Sequence, residues 1–278
     1  MNQQTQSPVT NGWSLDEREP QVIESLMPFW EWFYRYYFRV TTDGWHHIPD
    51  NKVLLVGSHN GGLATPDMIM IMYDWFRRFG TQRPVYGLMH PRVWKVNPRL
   101  AKIAEKTGAI VAHPKTAMAA FKRNASVLVY PGGAQDLFRP YTQRHQINLA
   151  GRKGFIKLAL REQVPIIPIV SKGAHDTLFV LTDIYQWIEQ LHQWGMPWFM
   201  DSDPEVFPIY LGLPWGIGLG PLPNIPLPTQ IHTRIGAPII FEKNGVKAAR
   251  DRTYVDECYQ IVVARMQQEL DNLVGSSL

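Results

Sequence analysis

In the stretch "VLLVGSHNGGLATPDMIMIMYDWF", an apolar run stops at Ser58 and a histidine, His59, follows at once. The next carboxylate, Asp67, stands one short loop further on. A neutral imidazole can take a proton from a hydroxyl when its other ring nitrogen is held as a donor. A nearby carboxylate holds that nitrogen and stabilises the imidazolium that forms. Asp67 falls in the first turn of a predicted helix, where the N-terminal dipole favours the ionised form. Thr65 takes the N-cap of that helix and Pro66 its first position, where a missing N–H costs nothing. Gly61 and Gly62 let the intervening loop fold His59 back over the helix start. The competing reading is that Asp67 only caps its helix and His59 is a polar strand end, since structural pairs also perturb protonation.

Two further segments end predicted strands. In "VLVYPGGAQDLFRP", Val127 to Pro140, the residues Pro131, Gly132 and Gly133 offer backbone N–H groups with no side chain in the way. Such donors suit a developing oxyanion or a polar headgroup, although Pro-Gly-Gly also marks an ordinary tight turn. In "VPIIPIVSKGAHDT", Val164 to Thr177, Ser171, His175 and Asp176 suggest a hydrolase. No Gly-x-Ser-x-Gly elbow occurs in the chain, which leaves a serine nucleophile little support. Nine histidines include the pair His46 and His47, but none has a zinc spacing such as His-Glu-x-x-His, so no metal is expected.

These segments need a scaffold, and the pattern around them supplies one. "KVLLVGS", "VYGLM", "AIVA", "SVLVYPGG" and "VPIIPIVS" read as strands. Helices are predicted between or after them at Pro66 to Phe79, Ala101 to Thr107, Thr116 to Asn124, Gly151 to Gln163 and Thr253 to Leu273. The alternation predicts an α/β fold with a mainly parallel sheet flanked by helices, and such sheets gather sites at the C-terminal ends of their strands. Val22 to Val40 reads as one or two helical pieces interrupted near Pro28, with Trp30, Phe33, Tyr34, Tyr37 and Phe38 at helical spacing. That segment suits either core packing or a membrane interface, where Arg35 and Arg39 would meet anionic lipid. The division expected is a frayed N-terminus over 1–20, an aromatic helical segment over 21–45 and a catalytic domain over 46–278.

The chain of 278 residues has 28 basic and 24 acidic residues, too mild an imbalance to argue for nucleic acid. One cysteine, Cys258, excludes an internal disulfide and fits a reducing compartment. No stretch reads as a secretory signal or a transmembrane helix. Val206 to Ile231 lacks Asp, Glu, Lys and Arg, but its prolines exclude a continuous spanning helix, and it reads as an ordered apolar loop region.

Together, "GSHNGG…D", "GAIVAHPKTAMAAFKRNASVLVYPGGAQD", "VPIIPIV" and "TRIGAPI" resemble, in order and spacing, the PlsC-like glycerolipid acyltransferases. The resemblance runs from about His47 to Pro238. It implies that His59 is the general base and Asp67 its support. An acceptor hydroxyl would attack the thioester of an acyl-CoA or acyl-carrier protein directly, with no acyl-enzyme and no further cofactor. It also implies that Asn60, Gly61, Gly62, Tyr130, Pro131, Gly132, Gly133, Gln135 and Arg139 line the substrate site. Two positions depart from the common pattern. Seven residues separate His59 from Asp67, where the family usually has four. Gln135 stands where the family usually has a phosphate-binding arginine, and an amide lacks that charged fork. The Pro-Gly-Gly block resembles the branch that acylates neutral alcohols: diacylglycerol acyltransferases, transmembrane protein 68-like proteins and phytyl ester synthases. The resemblance thus implies triacylglycerol or wax-ester synthesis at the cytoplasmic side of a membrane, by a peripheral protein. The alternative acceptor is lysophosphatidate or another lysophospholipid, with Arg139 or Arg144 replacing the missing arginine. A lipid-ester hydrolase and a non-catalytic lipid-binding module are the competing classes, since fold alone does not fix function.

Overall fold

The computed structural model describes residues 11–198 and 203–275. Ten strands and ten α-helices alternate along these residues. The strands are β1 (Thr41–Asp43), β2 (Leu54–Gly57), β3 (Val85–Met89), β4 (Ala109–Val111), β5 (Ser126–Val129), β6 (Ile166–Lys172), β7 (Phe179–Asp183), β8 (Pro208–Gly212), β9 (Gly216–Leu219) and β10 (His232–Ile235). The helices are α1 (Pro20–Trp32), α2 (Pro66–Phe79), α3 (Arg92–Val96), α4 (Pro98–Lys106), α5 (Pro114–Lys122), α6 (Gly133–Leu137), α7 (Gly154–Glu162), α8 (Tyr185–Gln193), α9 (Gly245–Arg250) and α10 (Arg252–Gly275).

Seven strands form the main sheet in the order β1-β10-β6-β2-β5-β3-β4. The run from β6 to β4 is parallel, and β10 pairs antiparallel to β6. Parallel strands are covered on both faces, so they read as continuous apolar runs rather than alternating ones. Leu54, Val56, Val127 and Ile166 pack with α5, α7 and α10 on one face. Val53, Leu55, Leu128 and Ile167 pack with α1 and α2 on the other. The predicted α/β class and mainly parallel sheet are therefore what the chain forms.

The aromatic segment differs from the sequence expectation. Pro28 lies inside α1 without breaking it. The irregularity comes later, at Phe33–Tyr37, where the chain widens into a π-helical turn and the Phe38 N–H donates to the Phe33 carbonyl at 2.8 Å. Packing of Ile23, Met27 and Trp30 against the sheet holds the helix through the proline. Tyr34 and Phe38 are buried, while Phe29, Trp32 and Tyr36 are exposed.

Residues 11–19 are also packed, where the polar composition suggests fraying. Leu15 is buried, its carbonyl accepts from the Tyr86 hydroxyl at 3.1 Å, and Val111 N–H donates to the Gly12 carbonyl at 2.9 Å. Residues 1–10 of the expected frayed end lie outside the described residues. The apolar stretch 206–231 is not simply a loop: it carries β8 and β9, which pair antiparallel with each other, and β8 pairs antiparallel with β7, in a separate three-stranded sheet. Its prolines are compatible with strands by position. Pro208 opens β8, and Pro214 sits in the turn between β8 and β9.

Ile167 is fully buried against α2 and the N-terminal helix. Ile167→Ala is expected to lower stability by about 2–5 kcal/mol through the cavity it leaves, read as a fall in the urea midpoint at unchanged slope.

Candidate active site

Strand register brings the site together. β2 and β5 pair in parallel with Val56 opposite Val129, so the chain positions that follow, Gly57 and Tyr130, emerge side by side. A Cβ on Gly57 would lie 2.3 Å from the Tyr130 ring, so only glycine fits there. The ring then reaches His59 and stacks on it, with centroids 4.2 Å apart and planes inclined by 21°.

Beyond the strand end, two buried charges bracket the His59 peptide. Its N–H donates to the Asp136 carboxylate, and its carbonyl accepts from Arg139 Nη1 at 2.7 Å. Ser58 Oγ donates to the same carboxylate at 3.0 Å. Arg139 closes the arrangement by an ion pair with Asp136. Its Nη2 donates to Asn60 Oδ1 and to the Arg144 carbonyl, and its Nε to the Gln143 carbonyl at 3.2 Å. Asn60 passes the link on, donating from Nδ2 to Asp67 Oδ2 at 2.9 Å and to the Ser58 carbonyl at 2.9 Å. Asp136, Arg139, Asn60 and Asp67 thus form one buried polar chain beneath His59.

His59 and Asp67 share this cluster, but no direct hydrogen bond between them occurs. The Asp67 carboxylate is taken by Asn60 and by the Met68 N–H, at 2.9 Å each. His59 Nδ1 is buried without a partner, as is the Tyr130 hydroxyl. Thr65 occupies the N-cap position of α2 in the left-handed region and makes no capping bond with its side chain. Asp67 supplies that contact itself, as the bland sequence reading allows.

Burial dominates the ionisation of these groups. It pushes the His59 imidazole down to about 3, helped by the Arg139 charge, so the ring is neutral. It raises Asp67 to about 7 against the hydrogen bonds from Asn60 and Met68. It raises Asp136 to about 6 against the opposing pull of Arg139, the His59 N–H and Ser58.

The other sequence-selected residues divide. Gly61 and Gly62 both have positive φ, and a Cβ on either would collide, with Thr177 Oγ1 at 2.4 Å and with Leu178 at 2.6 Å. Asn224 holds the loop from outside, donating to the Gly61 carbonyl at 3.0 Å. Pro131, Gly132 and Gly133 lie directly after Tyr130. Close packing accounts for the two glycines: a Cβ on Gly132 would lie 2.2 Å from the Asn148 carbonyl oxygen, and one on Gly133 2.2 Å from Arg152 Nη1. Gln135 is exposed. Arg139 requires a correction. It was expected to line the substrate site and, for a phosphate acceptor, to replace the missing arginine. It is buried, and its guanidinium nitrogens are committed to the carbonyls and side chains named above, so it braces the site from beneath. Ser171 bonds Thr233 at 2.8 Å, and His175 Nε2 meets the Arg139 carbonyl at 2.9 Å, so no Ser-His pair forms. Asp136, Asn224 and Arg152, which donates to the Pro131 carbonyl at 3.2 Å, escaped the sequence reading. Only Asp136 carried a signal, as a carboxylate three residues before an arginine around a turn.

The profile of the diacylglycerol acyltransferase family matches residues 26–273. The chain belongs to that family. An uncharacterised protein of Mycobacterium tuberculosis is 25% identical over 270 residues, covering 96% of this chain and 71% of that one. Diacylglycerol O-acyltransferase 1 of Saccharomyces cerevisiae is 25% identical over 158 residues, covering 55% and 35% respectively. Among solved structures, the 1-acyl-sn-glycerophosphate acyltransferase PlsC of Thermotoga maritima aligns with a TM-score of 0.49 at 14% identity, over 89% of this chain and 79% of that chain. Family membership makes the protein an O-acyltransferase of lipid metabolism.

Removing one partner of a buried ion pair strands the other charge. Arg139→Ala is therefore expected to cost about 3–5 kcal/mol in urea unfolding. Arg144→Ala, whose nearest carboxylate contact is a half-exposed one to Asp176 at 3.9 Å, is expected to cost under about 1 kcal/mol. Equal losses would remove Arg139 from its bracing role.

Proposed function

We propose that this acyltransferase moves a fatty acyl group from acyl-CoA or acyl-carrier protein to the hydroxyl of a neutral lipid alcohol, a diacylglycerol or a long-chain or isoprenoid alcohol. The observation that carries the acceptor class is the state of the basic residues around the Pro-Gly-Gly turn. Gln135 brings no charge. Arg139 is spent beneath the site. Arg152 is engaged by Glu205 and the Pro131 carbonyl. A phosphate monoester on the acceptor finds no uncommitted guanidinium at Arg139 or Arg152, and it would depend on Arg144, whose one carboxylate contact is to Asp176 at 3.9 Å.

The mechanism follows from the imidazole. His59 is neutral at physiological pH, with Nδ1 turned inward, which leaves Nε2 to take the acceptor's proton. The alkoxide oxygen attacks the thioester carbonyl carbon. The C–S bond breaks, and the proton passes from the imidazolium to the leaving thiolate. No side chain forms an acyl intermediate. Asp67 stabilises the transient imidazolium as a charge nearby in the same polar cluster, rather than through a bond to Nδ1. Stacking on Tyr130 and the two backbone bonds fix the ring's place.

The test is a competition in liposomes that hold diacylglycerol, a long-chain isoprenoid alcohol and lysophosphatidate, supplied with a long-chain acyl-CoA, with products read by mass spectrometry. A neutral ester is expected to dominate, and His59→Ala to lower its formation about 10²–10⁴-fold, the worth of a positioned base. Dominant phosphatidate would overturn the acceptor class and leave the family intact.

The pH profile separates the roles. His59 stays neutral down to about pH 3, so it gives no acid limb above that. Asp67 and Asp136 must be ionised to support the imidazolium and hold the His59 N–H, and their values are about 7 and about 6. Activity is therefore expected to rise between about pH 5 and 8. In Asp67→Asn the rate should be lower, and the remaining limb should move towards pH 6.

A further inference from the structure

The small sheet has an outer face of an unusual kind. Val180 and Tyr210 turn inward and pack on Leu137 and Phe138. The residues turned the other way are mostly apolar: Phe179 on β7, Leu211 on β8, Ile217 and Leu219 on β9, with Leu181 at the register shift in β7, all exposed, and Thr182 as the polar exception. Phe179 stands opposite Leu211, and Leu211 opposite Ile217, so one row crosses all three strands. An antiparallel sheet with one solvated face ordinarily turns polar residues outward. Ile217 is instead 68% exposed. A contiguous apolar patch of this breadth marks a surface that something covers.

The patch does not end at the sheet. Exposed Leu213 and Trp215 cap the hairpin between β8 and β9, and Leu213 bridges to exposed Ile225. The Tyr37 hydroxyl donates to the carbonyl of the next residue, Pro226, at 2.7 Å. The Tyr37 ring lies 6.0 Å from that of Trp32, on the exposed aromatic side of α1. Residues 206–231 contribute no charge to this surface. Guanidinium groups stand at two of its margins. Arg39 donates to the Tyr37 carbonyl at 3.2 Å. Arg144 lies over the Tyr141 ring, which stacks on Phe179 at 3.8 Å. An apolar centre, Trp and Tyr between, and arginines at the margin suit hydrocarbon, headgroup and lipid phosphate in that order.

The catalytic loop opens into this surface. Asn224, beside Ile225, grips the Gly61 carbonyl and accepts from the Ala64 N–H at 3.3 Å, and Leu63 between them is exposed. We infer that the outer face of the β7–β8–β9 sheet, continued by the aromatic side of α1, is the surface by which the protein lies on a lipid bilayer. The His59 loop then faces the membrane, so an acceptor enters sideways from the lipid without crossing water. This inference rests on the proposed use of a bilayer-dissolved acceptor.

The experiment is flotation with phosphatidylcholine vesicles containing phosphatidylglycerol, paired with two activity assays. One assay offers diacylglycerol in the vesicles, and the other a short-chain diacylglycerol dispersed as monomer. The wild type is expected to float. Ile217→Asp and, independently, Leu181→Asp are expected to cut vesicle binding and vesicle-borne turnover at least tenfold, while keeping the wild-type rate on the monomeric acceptor. Ile240→Asp, an equally exposed apolar position beside α10, serves as control and is expected to change nothing. Undiminished flotation of both aspartate variants overturns the surface, whatever the enzyme's acceptor. Lost flotation of the variants with a wild type that esterifies neither diacylglycerol keeps the surface and overturns diacylglycerol as the acceptor. A wild type that sediments as a dimer, and becomes a monomer in both variants without floating beforehand, assigns the face to a second copy and overturns the bilayer.

Discussion

The arrangement around His59 depends on a buried ion pair, Asp136 with Arg139, that touches the histidine only through its backbone. The pair lies in the interior, where an isolated charge costs several kcal/mol and an ion pair repays that only when its remaining hydrogen bonds are met. They are met here by the peptide and side chains of the His59 loop itself. The carboxylate takes the His59 N–H and the Ser58 hydroxyl, and the guanidinium takes the His59 carbonyl and the Asn60 amide. The loop cannot leave without exposing a bare charge at each end of the pair. That is how a glycine-containing loop, free to bend by composition, becomes a rigid holder for His59, the proposed base.

The parallel sheet makes this possible by setting where chain segments end. β2, β5 and β6 run side by side in one direction, so the loops that follow them emerge at one edge. The loop after β2 carries His59, the turn after β5 carries Tyr130 and Asp136, and the turn after β6 carries His175, which supports Arg139 by its carbonyl. Parallel register supplies proximity, and the polar cluster supplies precision. The glycines serve this crowding. Gly57, Gly132 and Gly133 each leave room for a neighbour that a Cβ would strike.

The main sheet was legible because fully covered strands are apolar throughout and the helices between them carry clear starts. Val85–Met89 and Pro66–Phe79 match their predicted limits. His59, Tyr130 and the Pro-Gly-Gly turn were legible as strand-end residues. The Asp136–Arg139 pair was not, since its meaning lies in contacts made across 77 and 80 residues. Arg139 was misplaced for a related reason: a sequence shows a cation near a site but not whether its donors are already used. The β8–β9 hairpin was hidden by its own prolines and glycines. They weaken a strand pattern on average, but here they fall at a strand start, in a turn and where Gly218 lies against the Tyr210 ring.

The longer spacing between His59 and Asp67 acquires a physical meaning from this chain of contacts. With seven residues between them, the loop has room for the two left-handed glycines and a short 3₁₀ turn before α2 begins. Asp67 then lies in the first turn of its helix, where it accepts from the Met68 N–H, and Asn60 stands between it and the braced loop. In the proposed mechanism, the carboxylate acts on the transient imidazolium by charge across a buried cluster. Such influence is strong only where water is excluded, because the low interior dielectric carries it. The outer surface offers that exclusion. Leu63 sits on the same loop, exposed next to the apolar hairpin, so whatever covers that face also closes the loop off from solvent. On the proposed mechanism, a site whose carboxylate is bonded to Asn60 and Met68 rather than to the histidine works best when its mouth is pressed against hydrocarbon. Under the proposed function and docking, the Pro-Gly-Gly turn without a free arginine, the dry polar cluster and the apolar sheet face answer to one requirement.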